Sequence, residues 1–195
     1  MQQDERAKCS RRLSRLLRHE PSSAGLTLDP HGWADVDELL VALDLMSWSM
    51  SYADLEEVVA TSDKQRFALD PVKRRIRANQ GHSVEVDLGL TAELPPTQMF
   101  HGTVDRFLPS IREQGLIAGQ RHHVHLSADR VTAERVGARR GEPVVLSVDA
   151  FGMVMSGMQF FRSANGVWLT DWVPAHRITF PSTDEDDICS VGLAW

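Results

Sequence analysis

The sequence predicts an α+β protein built as two lobes. Three observations lead there. Between residues 5 and 61 the chain carries three apolar stripes at helical spacing. Two short strand-like runs follow. After Pro95-Pro96 the pattern changes, and short strands outnumber helices. At 195 residues the chain is long enough for one large domain or two small lobes.

The first helix is expected over 5–19, where Leu13, Leu16 and Leu17 form one stripe and cations fill the other face. Pro21 ends it, because the residue before a proline is pushed out of the α region. Leu26 and Leu28 with the turn Asp29-Pro30-His31-Gly32 suggest a short strand and a tight turn. A second helix is expected over 34–44, with Val36, Leu39, Leu40 and Leu43 on one face. A third covers 51–61, with Tyr52, Leu55, Val58 and Val59 inward. Strand-like runs at 65–69 and 75–78 flank Asp70-Pro71. Three helices followed by a β-hairpin is the winged-helix order, in a lobe expected over 1–92.

The second lobe is expected over 97–182. It reads as a strand at 99–103 and a helix at 104–114, with Phe107, Leu108 and Ile111 inward and Gly115 as C-cap. A strand at 124–127, a short helix at 129–138 and a buried strand at 144–148 come next. Further strands are expected at 159–161, 167–170 and 177–180. Residues 183–195 form an acidic tail. No internal repeat or low-complexity segment is present.

Composition is that of a soluble globular protein, 42% hydrophobic and 25% charged. No apolar run approaches the ~18 residues of a membrane span, and the N-terminus has no apolar signal region. Cys9 and Cys189 stand far apart, outside any C-x-x-C pair. That argues against a disulfide framework or a cysteine zinc site and points to the cytoplasm. The net charge of −6 disfavours a nucleic-acid partner at first sight. Distribution matters more than the sum. Residues 6–18 and 64–77 together hold 12 of the 21 basic residues, six in each segment.

Four strings carry more than composition. They are L-S-R-L-L-R-H (13–19), D-K-Q-R-F (63–67), R-A-N-Q-G-H-S (77–83), and the pair F-H-G-T (100–103) with R-H-H-V-H-L-S (121–127). In this order they resemble the tRNA 2′-phosphotransferase (KptA) family. The strings G-L-x-L-D-x-x-G-W (25–33) and S-A-N-G-V-W-L-T (163–170) are similar to it as well. The resemblance runs from about residue 10 to about residue 180.

The resemblance implies an N-terminal winged-helix lobe that holds RNA and a C-terminal lobe of the ADP-ribosyltransferase fold that holds NAD. It implies two steps. The RNA 2′-phosphate attacks the anomeric carbon of the nicotinamide ribose, and nicotinamide leaves. The 2″-hydroxyl of the ADP-ribose then attacks the phosphate, giving 2′-hydroxyl RNA and ADP-ribose 1″,2″-cyclic phosphate. The implied catalytic set is Arg18, His19, Arg66 and Arg121. The implied NAD-holding residues are His101, Gly102, Thr103, His123, His125, Ser127 and Val167. Gly102 is expected to let the cofactor approach the backbone closely. Lys64, expected on the same strand face as Arg66, joins Arg77, Asn79, Gln80, His82 and Ser83 as RNA contacts, while Asn79-Gln80-Gly81-His82 reads equally as a turn that ends a hairpin with structural hydrogen bonds. Both lobes are expected to contribute to the phosphate clamp. A monomer is expected, and no resident metal.

The chemistry suits these residue types. A phosphate monoester is already anionic near neutral pH, so the nucleophile needs positioning and partial neutralisation rather than a base. Guanidinium groups offer planar, bidentate donors that stay charged. Fixed cations also favour the charge that builds on phosphoryl oxygens in the second step. His19 can hold the phosphate or protonate the departing RNA 2′-oxygen. Many ADP-ribosyltransferases place a glutamate where this chain has Val167. A hydrophobic residue there fits an acceptor that is already ionised.

Plainer readings exist for each residue. Arg18-His19 also fits a cationic helix C-terminus. The H-x-H pair at 123 and 125 invites a zinc reading, but no third ligand stands at a recognisable spacing. Arg11, Arg12, Arg74 and Arg75 read as surface charges, some within reach of RNA phosphates. Two rival functions remain open. One is ADP-ribosylation of terminal phosphates on RNA or DNA. The other is a winged-helix regulator that senses NAD. It starts behind, because the 34–44 helix carries Asp35, Asp37, Glu38 and Asp44 and no cation.

Overall fold

The computed structural model describes residues 3–62 and 64–181. The acidic tail expected at 183–195, and Cys189 within it, lie outside the described residues. Among the described residues the fold is mixed α/β, with six α-helices and several small antiparallel sheets. The chain divides into two compact units. Two short segments from the C-terminal half, Gly119–His122 and Arg162–Gly166, belong with Met1–Thr91 in the first unit.

The first unit opens with α1 (Gln3–Arg18), which buries Cys9, Ser10, Leu13, Leu16 and Leu17. It ends where the amides of His19 and Glu20 both donate to the Arg15 carbonyl. A 3-10 turn, Pro21–Ala24, follows and closes on Gly25 in the left-handed region. The strand expected around Leu26 and Leu28 does not form. The strand is instead β1 (Trp33–Asp35). The Asp29 carboxylate accepts from the His31 and Trp33 amides. This Asx-type turn carries the chain past Leu28 and leaves Trp33 as the first residue aligned for pairing. Periodicity alone places residues 34 and 35 in a helix, whereas both belong to β1.

Asp35 then caps α2 (Val36–Leu45), its carboxylate accepting from the Asp37 and Glu38 amides. α3 (Tyr52–Ala60) starts on a capping box between Ser51 and Asp54. β2 (Phe67–Asp70) and β3 (Arg75–Ala78) complete an antiparallel sheet of order β1-β3-β2. Phe67 pairs with Ala78 and Trp33 with Arg77. Leu13, Leu17, Leu39, Leu43, Leu55 and Ile76 are fully buried in this unit's core.

In the second unit β4 (Gln98–Thr103) is followed by the 3-10 turn Asp105–Phe107 and α4 (Leu108–Gln114), two pieces where one helix was expected. Gly115 caps α4 with φ 77°. The remaining elements of the chain are β5 (Leu116–Ile117), β6 (Val124–Leu126), α5 (Arg130–Gly137), β7 (Val144–Asp149), α6 (Ala150–Met155), β8 (Phe161–Arg162), β9 (Trp168–Thr170), β10 (Trp172–Val173) and β11 (Ile178–Thr179), with Arg162 of β8 counted in the first unit. The sheets have the orders β11-β7-β4, β6-β9-β8 and β10-β5. Phe100 and Ser127 exchange two backbone hydrogen bonds, of 2.9 and 2.8 Å, which tie β4 to the end of β6. Met99, Leu146, Val148, Met153 and Phe160 form the core.

Gly102 has no room for a side chain. A Cβ there would stand 1.8 Å from the Ala133 carbonyl oxygen and 2.8 Å from the Gly137 nitrogen, both on α5. Close packing of α5 on β4 therefore demands the glycine, a ground different from the cofactor approach expected from the sequence. Gly102→Ala is expected to destabilise the protein by roughly 1–3 kcal/mol, the usual cost of overpacking. Urea denaturation measures it, and an unchanged midpoint would refute this account of the packing.

Candidate active site

Arg18 is the last residue of α1, and His19 stands immediately beyond it. Residues 79–84 leave β3 and return to this helix end. The Ser83 amide donates to the Arg18 carbonyl at 2.9 Å and the Val84 amide at 3.4 Å. The Ser83 hydroxyl stands 2.9 Å from His19 Nδ1. The R-A-N-Q-G-H-S string thus satisfies an acceptor that the helix end leaves open.

Arg18 is half-buried, and its Nε and Nη2 are fully buried without a hydrogen-bond partner. Burial, then Arg121, then Arg66, push its pKa down to about 10. Both charges acting on it are therefore cations. His19 is exposed, yet its pKa lies below the ordinary histidine value. Burial is the first cause, Arg18 and Arg121 add to it, and Glu20 opposes it. Like charges gathered around half-buried donors repel one another and so favour the binding of an anion among them.

Arg66 precedes β2. Its carbonyl accepts from the Asn79 amide at 2.9 Å. Its Nη1 donates to the Ser10 hydroxyl at 3.1 Å. Ser10 is buried on α1 about two turns before Arg18. The four residues Arg18, His19, Arg66 and Arg121 all belong to the first unit. Arg121 is exposed and acts on both Arg18 and His19.

Lys64 does not share a strand face with Arg66, contrary to the expectation from alternation. β2 begins only at Phe67, and Gln65 has φ 39°. A residue in the left-handed region breaks the two-residue period on which that expectation rested. The loop is held by side-chain amides. Asn79 Nδ2 donates to the Gln65 carbonyl at 2.6 Å, and Asn165 Nδ2 to the Lys64 carbonyl at 2.9 Å.

The other expected RNA contacts divide in two. Gln80 is half-buried and Ser83 exposed. Asn79 and His82 are buried, at 7% and 2% exposure, inside the unit rather than on its surface. Both ring nitrogens of His82 lack a hydrogen-bond partner. Burial, followed by Arg18, His122, His19 and Arg77, lowers its pKa to about 4. Arg77 is half-buried. Its Nη1 donates to the His31 carbonyl at 3.3 Å, and its guanidinium lies 4.7 Å from the Trp33 ring centre.

In the second unit His101 Nδ1 stands 3.1 Å from the His125 carbonyl oxygen. His125 Nδ1 stands 3.1 Å from the His123 carbonyl oxygen. His123 Nε2 lies 3.5 Å from an Asp171 carboxylate oxygen, and its ring meets Phe161 edge-on. Burial holds the His101 pKa below the ordinary value. Thr103 is buried, Ser127 closes the bridge to Phe100, and half-buried Val167 precedes β9. Among the described residues, no group of three or more His, Cys, Asp or Glu gathers as a metal site. Nor is any helix among them long and apolar enough to cross a membrane.

Two residues escaped the sequence reading. Ser10 is a polar residue on the core side of α1, and that placement is its only signal. Asn165 lies in the S-A-N-G string, which marks it without saying what it holds.

Residues 4–172 match the family described as RNA 2′-phosphotransferase, Tpt1 / KptA family. The chain is 52% identical over 174 residues to a probable RNA 2′-phosphotransferase of Trichormus variabilis, covering 89% of this chain and 96% of that protein. It is 51% identical over 182 residues to one of Streptomyces coelicolor, covering 93% and 99%. A third, from Burkholderia lata, is 56% identical over 167 residues, covering 85% and 86%.

Proposed function

This chain belongs to the RNA 2′-phosphotransferase, Tpt1 / KptA family, and we propose that it removes an internal 2′-phosphate from RNA with NAD as co-substrate. The observation that carries the reading is the state of Arg18. It presents two buried, unpartnered nitrogens, and its neighbouring charges are Arg66 and Arg121. That donor set fits phosphoryl oxygens, both those of an RNA 2′-phosphate and those of a pyrophosphate.

NAD, when bound, supplies the carbon that accepts the phosphate and afterwards the hydroxyl that takes it over. The chain's own groups do the rest. Arg18, Arg66 and Arg121 hold the phosphate and offset charge on its oxygens. His19 is largely neutral near pH 7, because its pKa is lowered. An arriving dianion favours the protonated imidazole, which then donates to a phosphate oxygen or to the departing RNA 2′-oxygen. Ser83 orients that ring through Nδ1. His101, Gly102, Thr103, His123, His125, Ser127 and Val167 are assigned to NAD, and Lys64, Arg77, Gln80 and Ser83 to RNA. Asn79 and His82 support the site from inside. We read the first unit as a winged-helix lobe, a reading supported by its three helices and β1-β3-β2 sheet. We read the second as an ADP-ribosyltransferase-like lobe. The sparse, separated cysteines support a cytoplasmic setting.

Incubation with NAD and an internally 2′-phosphorylated RNA tests this. Nicotinamide, dephosphorylated RNA and ADP-ribose 1″,2″-cyclic phosphate are expected in equal amounts. ADP-ribosylated 5′-phosphorylated strands without the cyclic phosphate would overturn it. A smaller effect is expected at Ser10. Ser10→Ala removes the acceptor that steadies Arg66, a hydrogen bond worth about 1 kcal/mol, so kcat/KM should fall roughly five-fold. Unchanged turnover would show that Arg66 needs no such anchor.

A further inference from the structure

The outer face of α1 carries cations with no role in the clamp. Lys8, Arg11 and Arg12 line a surface pocket of about 650 Å³, together with Trp48 and Met50. Lys8 and Arg11 are exposed, and neither forms a hydrogen bond or ion pair among the described residues. The Arg12 guanidinium lies 4.4 Å from the Trp48 ring centre. The Trp48 side chain is also hydrogen-bonded to Cys9. The loop that presents it leaves α2 through Ser47, a residue other than glycine at φ 56°, while the Trp48 amide bonds back to the Leu43 carbonyl. Ser47 in the left-handed region with this bond forms a helix C-capping turn, which directs the chain carrying Trp48 back along α2. Of the two acids on the wall, Asp54 is already engaged by the Ser51 amide and hydroxyl.

We infer that this pocket is a second seat for the RNA strand, holding nucleotides that flank the 2′-phosphate. The inference rests on the reaction proposed above. Lys8 and Arg11 take backbone phosphates, and a base enters against Arg12, Trp48 and Met50. Stacking on an aromatic or guanidinium surface beside cations is how single-stranded RNA is commonly held. Ten residues of one helix separate Lys8 from Arg18, about 15 Å along the axis. A strand rising ~3.4 Å per nucleotide covers that span in roughly four nucleotides. The cavity is of the size that admits a small organic group. One rigid helix thus presents the clamp at its C-terminal end and the flanking seat two to three turns earlier.

The test compares a long single-stranded RNA with a dinucleotide, both carrying a 2′-phosphate. Binding of the long RNA is measured by fluorescence anisotropy without NAD, across a range of salt. In the double variant Lys8→Glu, Arg11→Glu, long-RNA binding should weaken about ten-fold or more, and the slope against salt should fall by about 1.4. Turnover of the dinucleotide should stay at the wild-type level. Trp48→Leu should also weaken the long RNA several-fold. Wild-type binding of the long RNA by the double variant overturns the inference, as does equal loss on both substrates. Unchanged binding in Trp48→Leu overturns the base seat. Failure of the proposed reaction shows separately, as no turnover of the dinucleotide by the wild-type protein.

Discussion

Arg18→Met is expected to yield a protein that is more stable and nearly inactive. Burying a guanidinium beside two other cations costs folding free energy. The pKa displaced from the ordinary arginine range down to about 10 corresponds to a cost on the order of 3 kcal/mol. Part of it returns through relaxation, so the measured gain should be about 1–3 kcal/mol. Methionine keeps the apolar stem of the side chain. The contacts from Ser83 and Val84 are to the Arg18 backbone carbonyl and survive the change. Activity should move the other way. Loss of a fixed donor to a charged transition state costs ~3 kcal/mol, about two decades in kcat/KM. Arg66→Ala and Arg121→Ala should lose activity to a similar degree without the gain in stability. Urea denaturation beside kinetics decides the matter. A less stable Arg18→Met would place Arg18 among the structural cations.

The second large effect is on stability against pH. His82 titrates near 6.5 when unfolded and at about 4 when folded. Between those values the unfolded chain binds a proton that the native protein does not. Stability is therefore complete above about pH 6.5 and falls as pH drops towards 4, by on the order of 3 kcal/mol. The groups facing the ring are Arg18, His122, His19 and Arg77, all of which oppose its protonation. Carboxylates such as Asp37 and Asp70 titrate lower still, their pKa values held down by hydrogen bonds from Arg74 and from the Lys73 amide. The contribution of His82 is thus the part of the slope that His82→Leu removes. Neither ring nitrogen has a partner to lose, so the variant should be nearly as stable as wild type at pH 7.5. If its stability follows the wild-type curve from pH 7 to 4.5, the assignment fails.

The long amphipathic elements of this fold were legible because their signals are local. α2 and α3 combine apolar periodicity with caps at Asp35 and Ser51, and their bounds fell within a residue or two of expectation. The short elements were not. β5 and β10 are two residues each and exist because Leu116 pairs with Val173 and Ile117 with Trp172. Only tertiary structure brings those partners together. α6 has six residues and depends on one Asp149 cap, too brief for a 3.6-residue period to emerge. Arg18 and His19 were legible as a helix end because Pro21 punctuates it. The Lys64–Arg66 loop was not, since nothing in Lys-Gln-Arg announces a positive φ. The burial of His82 was invisible for a different reason. A histidine in a polar string reads as exposed until the fold closes over it.

The return of residues 83 and 84 to the Arg18 carbonyl ties the chemistry to the order of assembly. α1 is synthesised before β3, yet its final turn receives its terminal donors from beyond that strand. Closing so long a loop comes late and carries an entropic cost that local helix formation avoids. An emerging chain cut short before residue 83 would therefore carry Arg18 and His19 on a fraying helix end, their side chains unregistered. The amides of Ser83 and Val84 consequently serve as reporters of maturation. They should begin to resist hydrogen exchange when the N-terminal unit becomes competent to hold a phosphate.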